Sequence, residues 1–224
     1  MQLSLVESAY NDIFQFLKSN DELMFNERDL QMHLAMYLKG LEVSGKPKYD
    51  DVDLEYYVPY KELKNYIWES ELRLDIVIRK GDEFLPVELK YKTKTSKSSI
   101  SRFNEFSENI DVLKNQGAQD LGCYDLWKDV RRIELVRQRY KDVKSGLAVF
   151  VSNDVFYWDG HIRDDSAYRE FSLSKGLHGK TKKWSKHVKI ESCRPSFEVE
   201  RQYEIKWEDA VYGNIPFRFF IIKI

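Results

Sequence analysis

The feature that most constrains this chain is the stretch from Leu72 to Tyr91, where apolar residues recur at every second position on both sides of a glycine turn. Leu72, Leu74, Ile76 and Ile78 are spaced by Arg73, Asp75 and Val77. Lys80-Gly81-Asp82 follows, and then Val87, Leu89 and Tyr91 are spaced by Glu88 and Lys90. A period of two places one set of side chains on each face of a strand. The short glycine link predicts an antiparallel hairpin. Pairing apolar against apolar sets Leu74 opposite Leu89 and Ile76 opposite Val87. Asp75 then faces Glu88 on the other side, with Cβ atoms about 5 Å apart, and Lys90 lies beside them. A slip of two residues keeps the faces matched and makes the acid pair diagonal.

Two facing carboxylates repel, so they need a cation or a shared proton. Hard oxygens in such a pair suit Mg²⁺ or Mn²⁺, which keep water positions open for a phosphate. A neighbouring lysine can orient an attacking water and stabilise developing charge. Aspartate followed by Glu-x-Lys on the next strand therefore predicts a site for phosphodiester hydrolysis. The competing reading is a solvated sheet face with a cross-strand Asp/Lys salt bridge. Other chemistries lack their signatures: the chain has no Gly-rich phosphate loop, no G-x-S-x-G elbow and no dinucleotide fingerprint. Cys123, within a predicted helix, has no evident base partner.

Around the hairpin the chain reads as an α/β unit. Leu5, Ala9, Ile13 and Leu17 share one helical face, as do Leu30, Leu34 and Leu38, with Asn20 or Asn26 as cap of the second helix. Val52, Leu54, Tyr56 and Val58 form a first alternating strand. Residues 92–102 read as a polar loop and Phe103 to about Tyr140 as helical. Leu147–Val151 reads as a buried strand that Val155–Trp158 extends after a turn, and Tyr203–Trp207 and Phe217–Ile222 as closing strands. The expected organisation is a core over residues 1–154 and a β-rich extension over 155–224 packed on the same domain. With 224 residues the core needs no disulfide staple, and the two cysteines show no ligand spacing.

The run LRLDIVIRKGDEFLPVELKYK resembles the core of the PD-(D/E)xK nuclease superfamily, the restriction-endonuclease-like fold. The order helix, strand, strand, strand, helix, strand agrees with that family over roughly residues 20–152, although Leu74 stands where the family name has proline. The resemblance implies that Asp75 and Glu88 hold Mg²⁺ (or Mn²⁺) and that Lys90 positions the attacking water. It also implies that an acid from the preceding helix assists, and Glu27 in FNERDLQMHLAMYL is the matching position. By pattern Glu27 falls on the buried stripe of Leu30 and Leu34, whereas a first-turn acid favoured by the helix dipole is the structural alternative. Some exonucleases of this family carry Gln-x-x-x-Tyr in the later helix. Gln119 and Tyr124 are five apart, so that element is not reproduced, and Gln116 or Gln119 is expected to line the site as a neutral hydrogen-bonder. Asp125, Asp129, Arg132 and Glu134 read instead as intrahelical and loop-anchoring ion pairs.

Thirty-six basic residues balance thirty-seven acidic ones, so a polycationic partner-binding chain is excluded and basic stretches are local asymmetry. Two stretches have no acids. Leu89–Asn104 holds Lys92 and Lys94. Phe171–Ile190 holds Lys180, Lys182, Lys183 and Lys186, with Trp184 among them. Lysines with an interleaved aromatic suit phosphate contacts and base stacking, against the plainer reading of a solvated loop. The expected partner is nucleic acid, with DNA favoured, and pairing into a homodimer is left open by analogy with restriction-like enzymes. No secretory signal or membrane span is visible, and the expected address is the cytoplasm. The rival function is a catalytically inactive module of the same fold that binds nucleic acid or serves assembly.

Overall fold

The computed structural model describes residues 3–159, 166–185 and 189–224. Two helices open the chain, α1 (Leu5–Ser19) and α2 (Glu27–Gly40). Ser4 caps the first, and the Asn26 side chain accepts from Asp29 N–H at 3.0 Å to cap the second. A two-residue ladder, β1 (Glu42–Val43) with β2 (Lys46–Pro47), leads into β3 (Asp51–Val58), β4 (Leu72–Lys80) and β5 (Glu83–Lys92). The turn between β4 and β5 uses Gly81 at φ +58°, a left-handed conformation that glycine adopts without steric cost. Then come β6 (Ser96–Arg102), β7 (Glu105–Leu113), α3 (Gln119–Arg139) and β8 (Leu147–Ser152). The C-terminal third adds β9 (Gly176–His178), β10 (Thr181–Lys182), β11 (Phe197–Glu198), β12 (Tyr203–Ile205), β13 (Glu208–Tyr212) and β14 (Ile215–Lys223).

Six strands form one mixed sheet in the order β13-β14-β8-β5-β4-β3. The pairs β3–β4 and β4–β5 are antiparallel, and β5–β8 is parallel with α3 as its crossover. Parallel neighbours need such a connection because a tight turn cannot reverse direction twice. Every residue of β8 is buried. Leu147, Val149 and Val151 pack toward α1 and α2, while Ala148 and Phe150 pack toward α3. A strand buried on both faces reads as a continuous apolar run, as Leu147–Val151 does. The residues after 154 are not a detached lobe, since β13 and β14 widen the central sheet beside β8.

Several expectations are corrected. Residues 96–113 form a two-stranded antiparallel ribbon, β6 with β7, so that the polar loop expected over 92–102 is largely strand and the helix expected from Phe103 begins only at Gln119. Phe103 and Asn104 both have positive φ, as a two-residue hairpin turn demands. Residues 105–111 are all exposed and the ladder shifts register twice, so the apolar Phe106 and Ile110 do not mark one buried face. Val155–Tyr157 is a 3-10 turn instead of a strand extension, because the Asp154 carboxylate accepts from Phe156 N–H. The segment Ser172–Ile190 contains β9 and β10, and β13 escaped notice because its solvent face interrupts the apolar run.

One irregularity in the sheet matters for function. The alternation in β3 and β4 does not hold one face throughout. Val52, Leu54, Ile76 and Ile78 pack with α1 and α2, whereas Val58, Leu72 and Leu74 pack with α3. The change falls at the level of Glu55 and Asp75, which the pairs Leu54↔Ile76 and Tyr56↔Leu74 bracket. Glu55 sits there at φ +52°, costly for a side chain with a Cβ. Such breaks in a ladder re-aim side chains next to functional sites.

Candidate active site

The ladder between β4 and β5 ends at Ile76↔Val87, so the next step along the two strands sets Asp75 against Glu88. Where the ladder stops, the Asp75 carboxylate replaces it: Oδ2 accepts from Leu89 N–H at 2.7 Å. The backbone carbonyl of Asp75 is taken up by Gln31 of α2, whose Nε2 donates to it at 2.7 Å and to Glu55 Oε1 at 3.0 Å. Helix α2 thus holds the distorted strand segment from one side.

Glu88 is buried, and its Oε1 has no hydrogen-bond partner. Burial first, then the charges of Asp129 and Asp75, push its carboxyl well above the ordinary glutamate value. Burial likewise lifts Asp75 to about 6, against the pull of Lys90 and of the Leu89 N–H. The interaction between the two facing carboxyls lowers Asp75 and raises Glu88, which favours a retained proton on Glu88. This is how two facing acids tolerate one another without a metal.

Lys90 projects from the same face of β5 as Glu88. Its Nζ lies 2.8 Å from Asp129 Oδ2 on α3 and 3.8 Å from Glu27 Oε1 on α2, and it donates to the Leu89 carbonyl at 2.8 Å. Burial works against its charge, yet Asp129, Glu27, Asp75 and Glu88 together hold it well above the ordinary lysine value. Glu27 is the first residue of α2, and its Oε2 accepts from Tyr91 N–H at 3.0 Å, which ties the start of the helix to the end of β5. Its side chain is 38% exposed, so it forms the rim of the cluster rather than its floor.

Asp75, Glu88, Lys90 and Glu27 are therefore brought together, while the remaining candidates are not. Gln119 donates to Asp154 Oδ2 at 3.2 Å, near the start of α3. Gln116 holds the Thr93 carbonyl through its backbone N–H, and no hydrogen bond joins either glutamine to the cluster. Lys92 is half-buried beside Gly122 of α3, and Lys94, Lys180 and Lys183 are exposed. Lys182 is not a surface lysine. It is buried, with Nζ 3.6 Å from the centroid of the Trp127 ring and donating to the Glu170 carbonyl at 3.0 Å. Trp184 is buried as well, stacked on Tyr124, and so is not free to stack on a base. The alternation of Lys182 and Trp184 was the inward face of an extended segment. Lys186 lies outside the described residues.

Asp129 is the residue that sequence reasoning passed over. It does pair with Arg132 within the helix, at 3.5 Å, but it also contacts Lys90. The available signal was its position at i+3 from Leu126 and i−4 from Ile133, on the buried stripe of α3. Compared with models of known protein families, with curated proteins and with solved structures, the chain has no match.

Proposed function

We propose that this chain is a divalent-metal-dependent nuclease of the PD-(D/E)xK kind, hydrolysing phosphodiester bonds in nucleic acid, with DNA favoured. The observation that carries the reading is the convergence of Asp75, Glu88 and Lys90 at the break in the β4–β5 ladder, with Glu27 at the rim. Support for a restriction-endonuclease-like core comes from the arrangement around it. Helix α2 precedes three antiparallel strands, and α3 crosses to β8 parallel to the strand that carries Glu88 and Lys90.

The donor set fits a hard divalent cation. Two carboxylates face each other, each pushed toward its protonated form, and one buried oxygen, Glu88 Oε1, has no partner. Among the described residues no three His, Cys, Asp or Glu side chains form a group that could hold a metal ion, so the donor set rests on the Asp75–Glu88 pair. Asp75 and Glu88 would hold the ion, and Glu27 would assist from the rim. When bound, Mg²⁺ or Mn²⁺ supplies charge stabilisation on a phosphoryl oxygen and a more acidic water. To serve as a ligand Glu88 would release the proton that burial favours on it. Lys90, held charged by its neighbours, orients a water by donating to it and offsets the negative charge that builds on the phosphoryl oxygens. The buried walls from β5 and α3 keep other water away and strengthen these interactions.

The test is cleavage of single- and double-stranded DNA and RNA by purified protein with Mg²⁺ or Mn²⁺, repeated in EDTA and with Asp75→Asn. Cleavage that needs the metal and disappears in the variant is expected. No cleavage of any of the four substrates, or equal cleavage in EDTA, rejects the proposal.

A further inference from the structure

The unexplained observation at the site is where Lys90 points. It stands on the same strand face as Glu88, next to two carboxylates that repel each other, and a lysine there would ordinarily pair with them. Yet its ion pairs within 4.0 Å are to Asp129 and Glu27, and none is to Asp75 or Glu88. The ammonium is drawn across to α3, and Glu88 Oε1 is left without a partner.

We propose that Asp129 is the positioning residue for Lys90, holding the ammonium off the Asp75–Glu88 pair so that the pair stays open to a cation. This rests on the nuclease reading above. Three features support it. The Lys90–Asp129 contact is the shorter of the two ion pairs, 2.8 Å against 3.8 Å. Asp129 is 3% exposed, so the attraction is little screened by solvent. And Asp129 is itself anchored. Arg132 stands 3.5 Å from its Oδ1, and the same guanidinium donates to Tyr66 Oη at 3.0 Å and Ser70 Oγ at 2.8 Å in the segment between β3 and β4. The rings of Tyr66 and Trp68 flank that guanidinium at 5.8 Å each. A fixed arginine holds Asp129, and Asp129 holds Lys90.

The arrangement also keeps the lysine's close counter-charge apart from the two acids that would hold the ion, since Glu27, the acid placed near both, stands at the longer distance of 3.8 Å from the ammonium. An acid paired closely with both would bring two cations together, which repel. Placing the lysine's counter-charge on α3, across from the strand acids, lets Lys90 stay charged and near the reacting phosphate while Asp75 and Glu88 remain free of it.

The experiment uses the full chain with ¹⁵N-labelled lysine, and Asp129→Asn beside Arg132→Met, which removes the anchor without touching the carboxylate. Three quantities are read: the ammonium signal of Lys90, assigned by its loss in Lys90→Arg, Mn²⁺ affinity by calorimetry, and steady-state cleavage. A buried, paired ammonium exchanges slowly enough to give its own signal, so wild type should show it. Asp129→Asn should shift or abolish that signal and weaken Mn²⁺ binding at least tenfold, as Lys90 swings onto Asp75 and Glu88. It should lower kcat at least tenfold with KM changed less than threefold. Arg132→Met should move each quantity the same way by a smaller factor. An unmoved Lys90 signal in both variants overturns the proposal, as does a moved signal with unchanged Mn²⁺ affinity. A loss of melting temperature alone would mark Asp129 as structural and also overturn it. If wild type neither binds Mn²⁺ nor cleaves, the nuclease reading fails by itself, and the ammonium signal still reports whether Asp129 fixes Lys90.

Discussion

Two lysines, Lys182 buried and Lys90 largely so, pack against one turn of α3 and behave oppositely. Lys90 meets Asp129, and Lys182 meets the face of Trp127 two residues earlier. Burial disfavours charge on both. Around Lys90 four carboxylates outweigh that cost and raise its pKa well above the usual lysine value. Around Lys182, among the described residues, no carboxylate lies within ion-pair distance. It has the Glu170 carbonyl, an indole face and the more distant Glu170 charge, and its pKa falls to about 7. The seam it occupies holds the C-terminal third to α3, near His178, whose ring lies 5.5 Å from that of Trp127. Burial alone thus does not set a side chain's charge; the compensating charges do.

The largest expected effect tests whether the acids around Lys90 are catalytic as well as compensating. Asp75→Asn should reduce cleavage on the order of 10³-fold, about 4 kcal/mol of lost transition-state stabilisation. The amide keeps an acceptor for Leu89 N–H, so folding without metal should not suffer. The sign with pH follows from the raised carboxyl pKa values of Asp75 and Glu88. The folded state keeps a proton that the unfolded chain has released, so metal-free stability should rise as pH falls from neutral through about 6. Asp75→Asn should flatten that rise in urea titrations. An equal slope in wild type and variant would mean the pair does not share a proton.

Next in size is Lys90→Met. It leaves Asp129 buried with Arg132 as its nearest cation, and breaking a buried pair on one side costs roughly 3 kcal/mol. Lys182→Met is the contrasting substitution, replacing a lysine with no ion pair among the described residues by an apolar chain of similar shape. A base whose folded pKa is depressed costs stability wherever the unfolded chain holds it protonated. The cost is fully present below about 7 and disappears as pH rises to the ordinary lysine value near 10.5. Wild-type stability should therefore climb between those limits. The gain is on the order of a few kcal/mol. In Lys182→Met that climb should vanish, and at pH 6 the variant should be the more stable protein. Equal losses for Lys90→Met and Lys182→Met would collapse the distinction between the two lysines.

The smallest effect belongs to the exposed partners of Lys182. Replacing Lys180 and Lys183 by alanine should change folding by no more than about 0.5 kcal/mol. If they contact phosphates, the slope of log affinity against log salt should fall by about 1 to 2. An unchanged slope would make them solvated surface only.

The sequence by itself determined the elements whose patterns report directly on burial. The β4–β5 hairpin is legible because apolar residues must meet apolar residues across the ladder, and that constraint puts Asp75 and Glu88 on one face; the register Ile76↔Val87 then decides between the direct and the diagonal pairing. Helices α1 and α2 and the doubly buried β8 follow from period and from a continuous apolar run. The tertiary structure decided what depends on partners distant in the chain. The ribbon of β6 and β7 is mostly exposed and shifts register twice, so no steady period can be read from it. Lys182 and Trp184 looked like a solvated basic loop until α3 supplied the indole and the aromatic neighbours that bury them. Asp129 could be placed on the buried stripe of its helix, but an acid on a stripe does not name its counter-ion. Its pairing with Lys90 arises only when the α3 crossover lays that stripe over β5, and a Coulomb contact depends on distance through space, which spacing along the chain does not encode.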